Sequence, residues 1–146
     1  MSGQEFIDRV QPGELYWLLA GELAERIGNH PILVLGKSHR ELYFLVLSSQ
    51  VARRQAFFER SQALASSFVI IQPSVTNNLY KESSVDCGDP YPFRPEILDD
   101  ILSQDGLKRL GILTDDTFGL IIQGVHKSPR VKTKIKRFIP PTEYFL

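Results

Sequence analysis

The stretch PILVLGKSHRELYFLVLSS, residues 31–49, decides the fold. It holds two apolar runs, Ile32–Leu35 and Leu42–Leu47, with the polar Lys-Ser-His-Arg between them. Runs of that length, rich in aliphatic and aromatic residues and joined by a short polar segment, predict two strands and a hairpin turn. Because the runs are nearly continuous rather than alternating, both faces of these strands are expected to be covered. Pro31 suits the mouth of the second strand, where no ladder partner has claimed its missing N–H.

On the N-terminal side, QPGELYWLL (11–19) reads as a turn and then a strand. Leu15, Trp17 and Leu19 fall on one face, and Glu14, Tyr16 and Leu18 on the other. GELAERIG (21–28) sets Leu23 and Ile27 four apart between two glycines, one or two turns of helix laid in a connection. On the C-terminal side, residues 52–66 lack proline and glycine and suit a helix, with strands expected in SFVIIQPSV and in NLYKESSV. RPEILDDILSQDG starts a helix with Pro95 at its first position and places Ile97, Leu98, Ile101 and Leu102 on one face, stopping at Gly106. LTDDTFGLIIQGVHKSP predicts a helix over 115–127. Thr114 caps it, Asp115 and Asp116 lie in the positive first turn, and Phe118, Ile121, Ile122 and Val125 form the buried stripe. His126 and Lys127 lie in the negative last turn, and Pro129 ends it. In PRVKTKIKRFI, Val131, Thr133 and Ile135 alternate with Arg130, Lys132, Lys134 and Lys136, which predicts a strand with one basic face.

Strands, an inserted helix, more strands and a helical end amount to a mainly β, α+β single domain spanning 1–146. The expected form is a small twisted antiparallel SH3-like barrel with peripheral and C-terminal helices. A chain of 146 residues hides about two-thirds of its unfolded surface and needs no covalent staple. Its single cysteine, Cys87, excludes an internal disulfide, and no Cys/His spacing suits zinc. The opening MSGQEFIDRV carries acids and no long apolar run, unlike a signal peptide, and no stretch approaches the length of a membrane helix; the cytoplasm is the expected location.

Net charge is zero, but unevenly distributed. Residues 82–116 hold nine acids and three bases, while 127–137 hold six bases and no acid. Such asymmetry fits an anionic partner, or else two solvated faces that neutralise each other. Glycine-rich phosphate loops, Gly-x-Ser-x-Gly elbows, His-Glu-x-x-His and dinucleotide fingerprints are all absent, so no cofactor is expected. His126 reads as a helix C-terminal cation, His39 as a solvated turn residue and Cys87 as a small buried group.

One constellation carries a resemblance. Pro12-Gly13-Glu14-Leu15, a helical connection, Pro31–Leu35, Ser48-Ser49-Gln50 and Ser84-Val85-Asp86-Cys87 follow one another over roughly residues 12–126. In that order and spacing the chain resembles the PemK/MazF toxin family. The resemblance implies a dimeric SH3-like barrel that cuts single-stranded RNA and is silenced by an antitoxin protein. The family's arginine before the aliphatic strand is His30 here. That arginine acts as general acid and phosphate clamp beside a Thr or Ser hydroxyl while the substrate's 2′-hydroxyl attacks phosphorus. A guanidinium presents a fork to phosphate, whereas imidazole donates one bond to it and serves as acid or base near neutral pH. The catalytic set implied is therefore His30, Ser48 and Ser49, with Arg26 supplying the lost charge. Arg53, Arg54, Arg130, Lys132, Lys134 and Lys136 are the candidate RNA contacts, and Tyr16, Tyr43 and Phe57 candidate stacking platforms. The chain is then either an RNA-directed protein, with or without surviving cleavage, or a non-catalytic barrel whose acidic 82–116 surface meets a basic protein. A small-molecule pocket in the barrel mouth is a third option.

Overall fold

The computed structural model describes residues 1–61 and 67–142. In chain order the elements are α1 (Gly3–Arg9), β1 (Glu14–Leu18), α2 (Glu22–Ile27), β2 (His30–Lys37), β3 (Leu42–Val46), α3 (Val51–Ser61), β4 (Phe68–Ile71), β5 (Ser83–Asp86), β6 (Tyr91–Phe93), α4 (Pro95–Ser103), β7 (Leu107–Ile112), α5 (Asp115–Lys127) and α6 (Thr133–Lys136). Five strands form one sheet in the order β6-β3-β2-β1-β7, and β4 pairs with β5 in a second. Every pairing is antiparallel. Backbone bonds between Ser48 and Ser84, 3.0 and 2.8 Å, join the end of β3 to β5 and so link the two sheets.

The near-continuous apolar runs of β2 and β3 are explained by cover on both faces. Leu33, Leu35, Tyr43, Leu45 and Leu47 point to one core, closed by Ile71, Val85 and the α5 stripe. Ile32, Val34, Leu42 and Phe44 point to a second core, closed by Phe6 and Ile7 of α1, Leu23 of α2, and Leu98 and Ile101 of α4. The α5 stripe of Phe118, Ile121, Ile122 and Val125 is fully buried, and the Thr114 hydroxyl accepts the Thr117 N–H as its cap. Gly21 and Gly28 bound α2 at φ +99° and +87°, a region where a side chain would be strained.

Four segments differ from the expectations drawn from sequence. Residues 130–137 are not a strand: a turn leads into α6. Val131 and Ile139 are buried in the first core and Ile135 packs against it, a spacing of four that is helical, so tertiary burial overrode the alternation of the lysines. The segment 107–112, unassigned in sequence because Lys108, Arg109 and Gly111 interrupt it, is edge strand β7. Helix α1 is announced by a capping box, Ser2 with Glu5, and its C-terminal carbonyls at Ile7, Asp8 and Val10 accept the Lys37 ammonium at 2.8–3.0 Å. Ile97, placed on the buried face of α4, is 47% exposed, whereas Leu98 and Ile101 are buried. The expected helix over 52–66 is present as α3 through Ser61; its remainder lies outside the described residues.

Candidate nucleic-acid interface

His30 opens β2 opposite Leu18 of β1, and its ring is built into the backbone. Nδ1 faces the Leu47 carbonyl at 3.0 Å and Nε2 faces the Ile27 carbonyl at 2.9 Å. Ile27 ends α2, so the ring meets one of the carbonyls that a helix C-terminus leaves without a partner. Leu47 follows β3, so the same ring ties the helix to the strand end that carries Ser48 and Ser49. The Ser48 hydroxyl accepts the Gln50 N–H just ahead of α3, while Ser49 is exposed.

Two hollows meet at His30. One, of about 230 Å³, brings His30 and Ser48 together with Arg54, Asp86, Asp89 and Tyr91. The other, of about 180 Å³, brings His30 and Ser49 together with Trp17, Asn29, Tyr80 and Lys81. Arg26 lies in neither. It lines a hollow of about 370 Å³ with Glu22, Glu96 and Asp100, and meets the first hollow across Tyr91. Burial, and then the carboxylate of Asp89 hydrogen-bonded to the phenol, push Tyr91 above the ordinary tyrosine value, with Arg26 and Arg54 partly offsetting the rise. Both guanidinium groups therefore act on the same phenol from neighbouring hollows.

The basic segment divides. Arg130 is paired with Asp86, which holds the guanidinium above its ordinary range. This pair is one contact between the acidic and basic stretches. Lys132 and Lys134 are exposed without an ion pair among the described residues, and they line a hollow of about 260 Å³ with Glu41 and Asp89. Asp89 is common to that hollow and the His30–Ser48–Arg54 one, so the two adjoin. Lys136 is half-buried, and exposed Arg53 donates to the Gln50 side chain at 3.3 Å. Of the proposed stacking platforms, Tyr16 and Tyr43 are core residues and not available to a base; Phe57 is 54% exposed. Tyr16 is fixed by Glu14, which also pairs with Arg109 at 2.8 Å.

Trp17, Tyr80, Lys81, Asp89 and Tyr91 were not singled out in the sequence. Trp17 shares its strand face with Leu15, which gave it a core rather than a surface reading. Tyr80 and Lys81 sit in the β4–β5 connection, where no periodicity operates.

No family model and no curated protein matches the chain. Among solved structures it is similar to the Mycobacterium tuberculosis toxin MazF-mt6. That likeness has a TM-score of 0.49 and 12% identity, covering 84% of this chain and 99% of that one. Among the described residues no helix is long and apolar enough to cross a membrane, and no three His, Cys, Asp or Glu side chains gather to hold a metal ion.

Proposed function

We propose that this chain is a PemK/MazF-like protein of a toxin–antitoxin type system that grips single-stranded RNA without cutting it efficiently. The observation that carries this reading is the meeting of His30, Ser48 and Arg54 in one hollow that adjoins the Lys132–Lys134 hollow through Asp89. A strand laid along that path meets a hydroxyl, a guanidinium and two ammonium groups, a backbone track of the kind single strands need, against the opposing carboxylates of Asp89 and Glu41, while Asp86 is neutralised by Arg130. Loss of cleavage is supported by His30 itself. Both of its nitrogens face backbone carbonyls, so neither is free to give a proton to a leaving oxygen while the ring holds its place. A two-fold homodimer and an antitoxin partner belong to the same proposal, and sedimentation of the pure protein at micromolar concentration tests the first of them.

The test is incubation of a labelled single-stranded RNA with excess protein, followed by separation of bound strand and of products. Retarded, intact RNA is expected, with Arg54→Glu weakening retardation. Products ending in a cyclic phosphate, abolished by deoxy substitution at the cut position, would show that 2′-hydroxyl chemistry survives. No retardation of RNA at low salt would end the nucleic-acid reading.

A second reading, a protein-interaction module, is favoured by the hollow around Arg26. There the exposed Ile97 stands among Glu22, Glu96 and Asp100, none of which has an ion pair among the described residues. That apolar, acid-rimmed surface suits a basic segment of another protein.

A further inference from the structure

The hollow on the Ser49 side of His30 differs from its neighbours. Four other hollows among the described residues are each lined by at least two carboxylate residues. Among the described residues this one is lined by none, and Lys81 is the cation at its edge. It also holds an aromatic pair. The Trp17 indole and the Tyr80 phenol lie 6.0 Å apart between ring centroids, tilted by 30°. Tyr80 is 73% exposed, so most of its ring surface beyond the Trp17 contact faces water. Leu47 and Leu79 supply an apolar floor, while Asn29 and Ser49 are exposed at the rim. At about 180 Å³ the space is smaller than the pocket of a drug-sized ligand, which is about 300 Å³ or more, and suits a single ring system.

From these features we infer that this hollow is a mononucleotide subsite: a base lies against Tyr80 and Trp17, the Asn29 amide and Ser49 hydroxyl meet its polar edge, and Lys81 takes the attached phosphate. Every base has a π-face, so an aromatic platform accepts any of them, and the absence of carboxylates removes the repulsion a phosphate meets in the other hollows. The inference deepens the RNA reading and rests on it for the source of the nucleotide. His30 and Leu47 are shared with the Ser48–Arg54 hollow, so a base seated here directs the next phosphate of a strand toward Arg54. A free nucleotide and one nucleotide of an RNA strand present the same chemistry to the site.

Trp17 is the only tryptophan of the chain, so its fluorescence reports on this hollow alone. The experiment titrates the full-length protein with uridine and adenosine 5′-monophosphates, with the matching nucleosides, and with a single-stranded oligoribonucleotide followed separately by anisotropy. Saturable quenching by the monophosphates is expected. Tyr80→Ala should weaken it roughly 5- to 150-fold, as loss of one stacking partner does. Lys81→Gln should weaken monophosphates but leave nucleosides unchanged. Both replaced side chains are exposed, and thermal melts of the variants check that the fold is kept. No saturable quenching by monophosphates, while the oligoribonucleotide still binds, would overturn the subsite and leave the RNA reading standing. Quenching by monophosphates without any binding of the oligoribonucleotide would uphold the subsite, assign it to free nucleotides, and overturn the RNA reading.

Discussion

Replacing His30 with alanine removes the ring that joins the end of α2 to the end of β3. Its magnitude follows from the two contacts, 2.9 Å to Ile27 O and 3.0 Å to Leu47 O. A neutral imidazole has one N–H and fills one of them; the imidazolium fills both. At about 0.5–1.5 kcal/mol net for each bond, His30→Ala should lower stability by about 0.5–1.5 kcal/mol when one bond is made and about 1–3 kcal/mol when both are. The site is only part-buried, so water can reach the abandoned carbonyls, and values near the lower end are expected. Helix α2 has six residues, too short to stand without tertiary caps. Urea denaturation followed by far-ultraviolet circular dichroism measures the loss. His39→Ala, at an exposed turn position, is the control and should change stability little. His30→Gln, which keeps one donor, should recover part of the loss. A His30→Ala protein as stable as the His39→Ala protein would refute the ring's role as a strut and leave its nitrogens free for chemistry.

Ile121 is wholly buried in the first core, so Ile121→Ala should cost about 2–5 kcal/mol through lost burial and the cavity left behind, read as a shift of the urea midpoint. Stability should fall in alkali. Burial pushes the Cys87 thiol from 9.0 up to about 12, and burial with the Glu14 charge pushes Tyr16 from 10.0 up to about 12. Both folded values lie above the unfolded ones, so the stability they contribute is complete below pH 9 and is lost as pH rises toward 12. Midpoints measured across that range should decline, with Cys87→Ala delaying the onset toward the tyrosine window. Asp89 lies on the proposed RNA path between Arg54 and Lys132, so Asp89→Asn should strengthen RNA binding several-fold; weaker binding would place the strand elsewhere.

The parts of the fold legible in the sequence are those where local pattern and tertiary burial agree. Ile32–Leu35 and Leu42–Leu47 announce two-sided burial, and Thr114, Asp115 and the 118/121/122/125 stripe announce α5. The period of two set by Arg130, Lys132 and Lys134 misled because it describes only what faces water. The anchors Val131, Ile135 and Ile139 repeat every four residues and decide the conformation. Strand β7 was hidden because Lys108 and Arg109 break its apolar content, as an edge strand tolerates. The neighbourhood of His30 and Ser48 was legible as two strand ends, since β2 begins where β3 finishes. Trp17 with Tyr80, and Asp89 between the two basic groups, come together only through contacts distant in sequence, which no local pattern encodes.

The most direct test titrates a single-stranded RNA at several salt concentrations and compares the protein with its Lys132→Glu/Lys134→Glu variant. The four phosphate contacts proposed for Arg54, Lys81, Lys132 and Lys134 would make log affinity fall against log salt with a slope of roughly −3, and roughly half that in the variant. Tight binding at low salt with those two slopes is the expected result. Weak binding that is insensitive to salt and unchanged by the charge reversal would contradict the assignment of this surface to RNA.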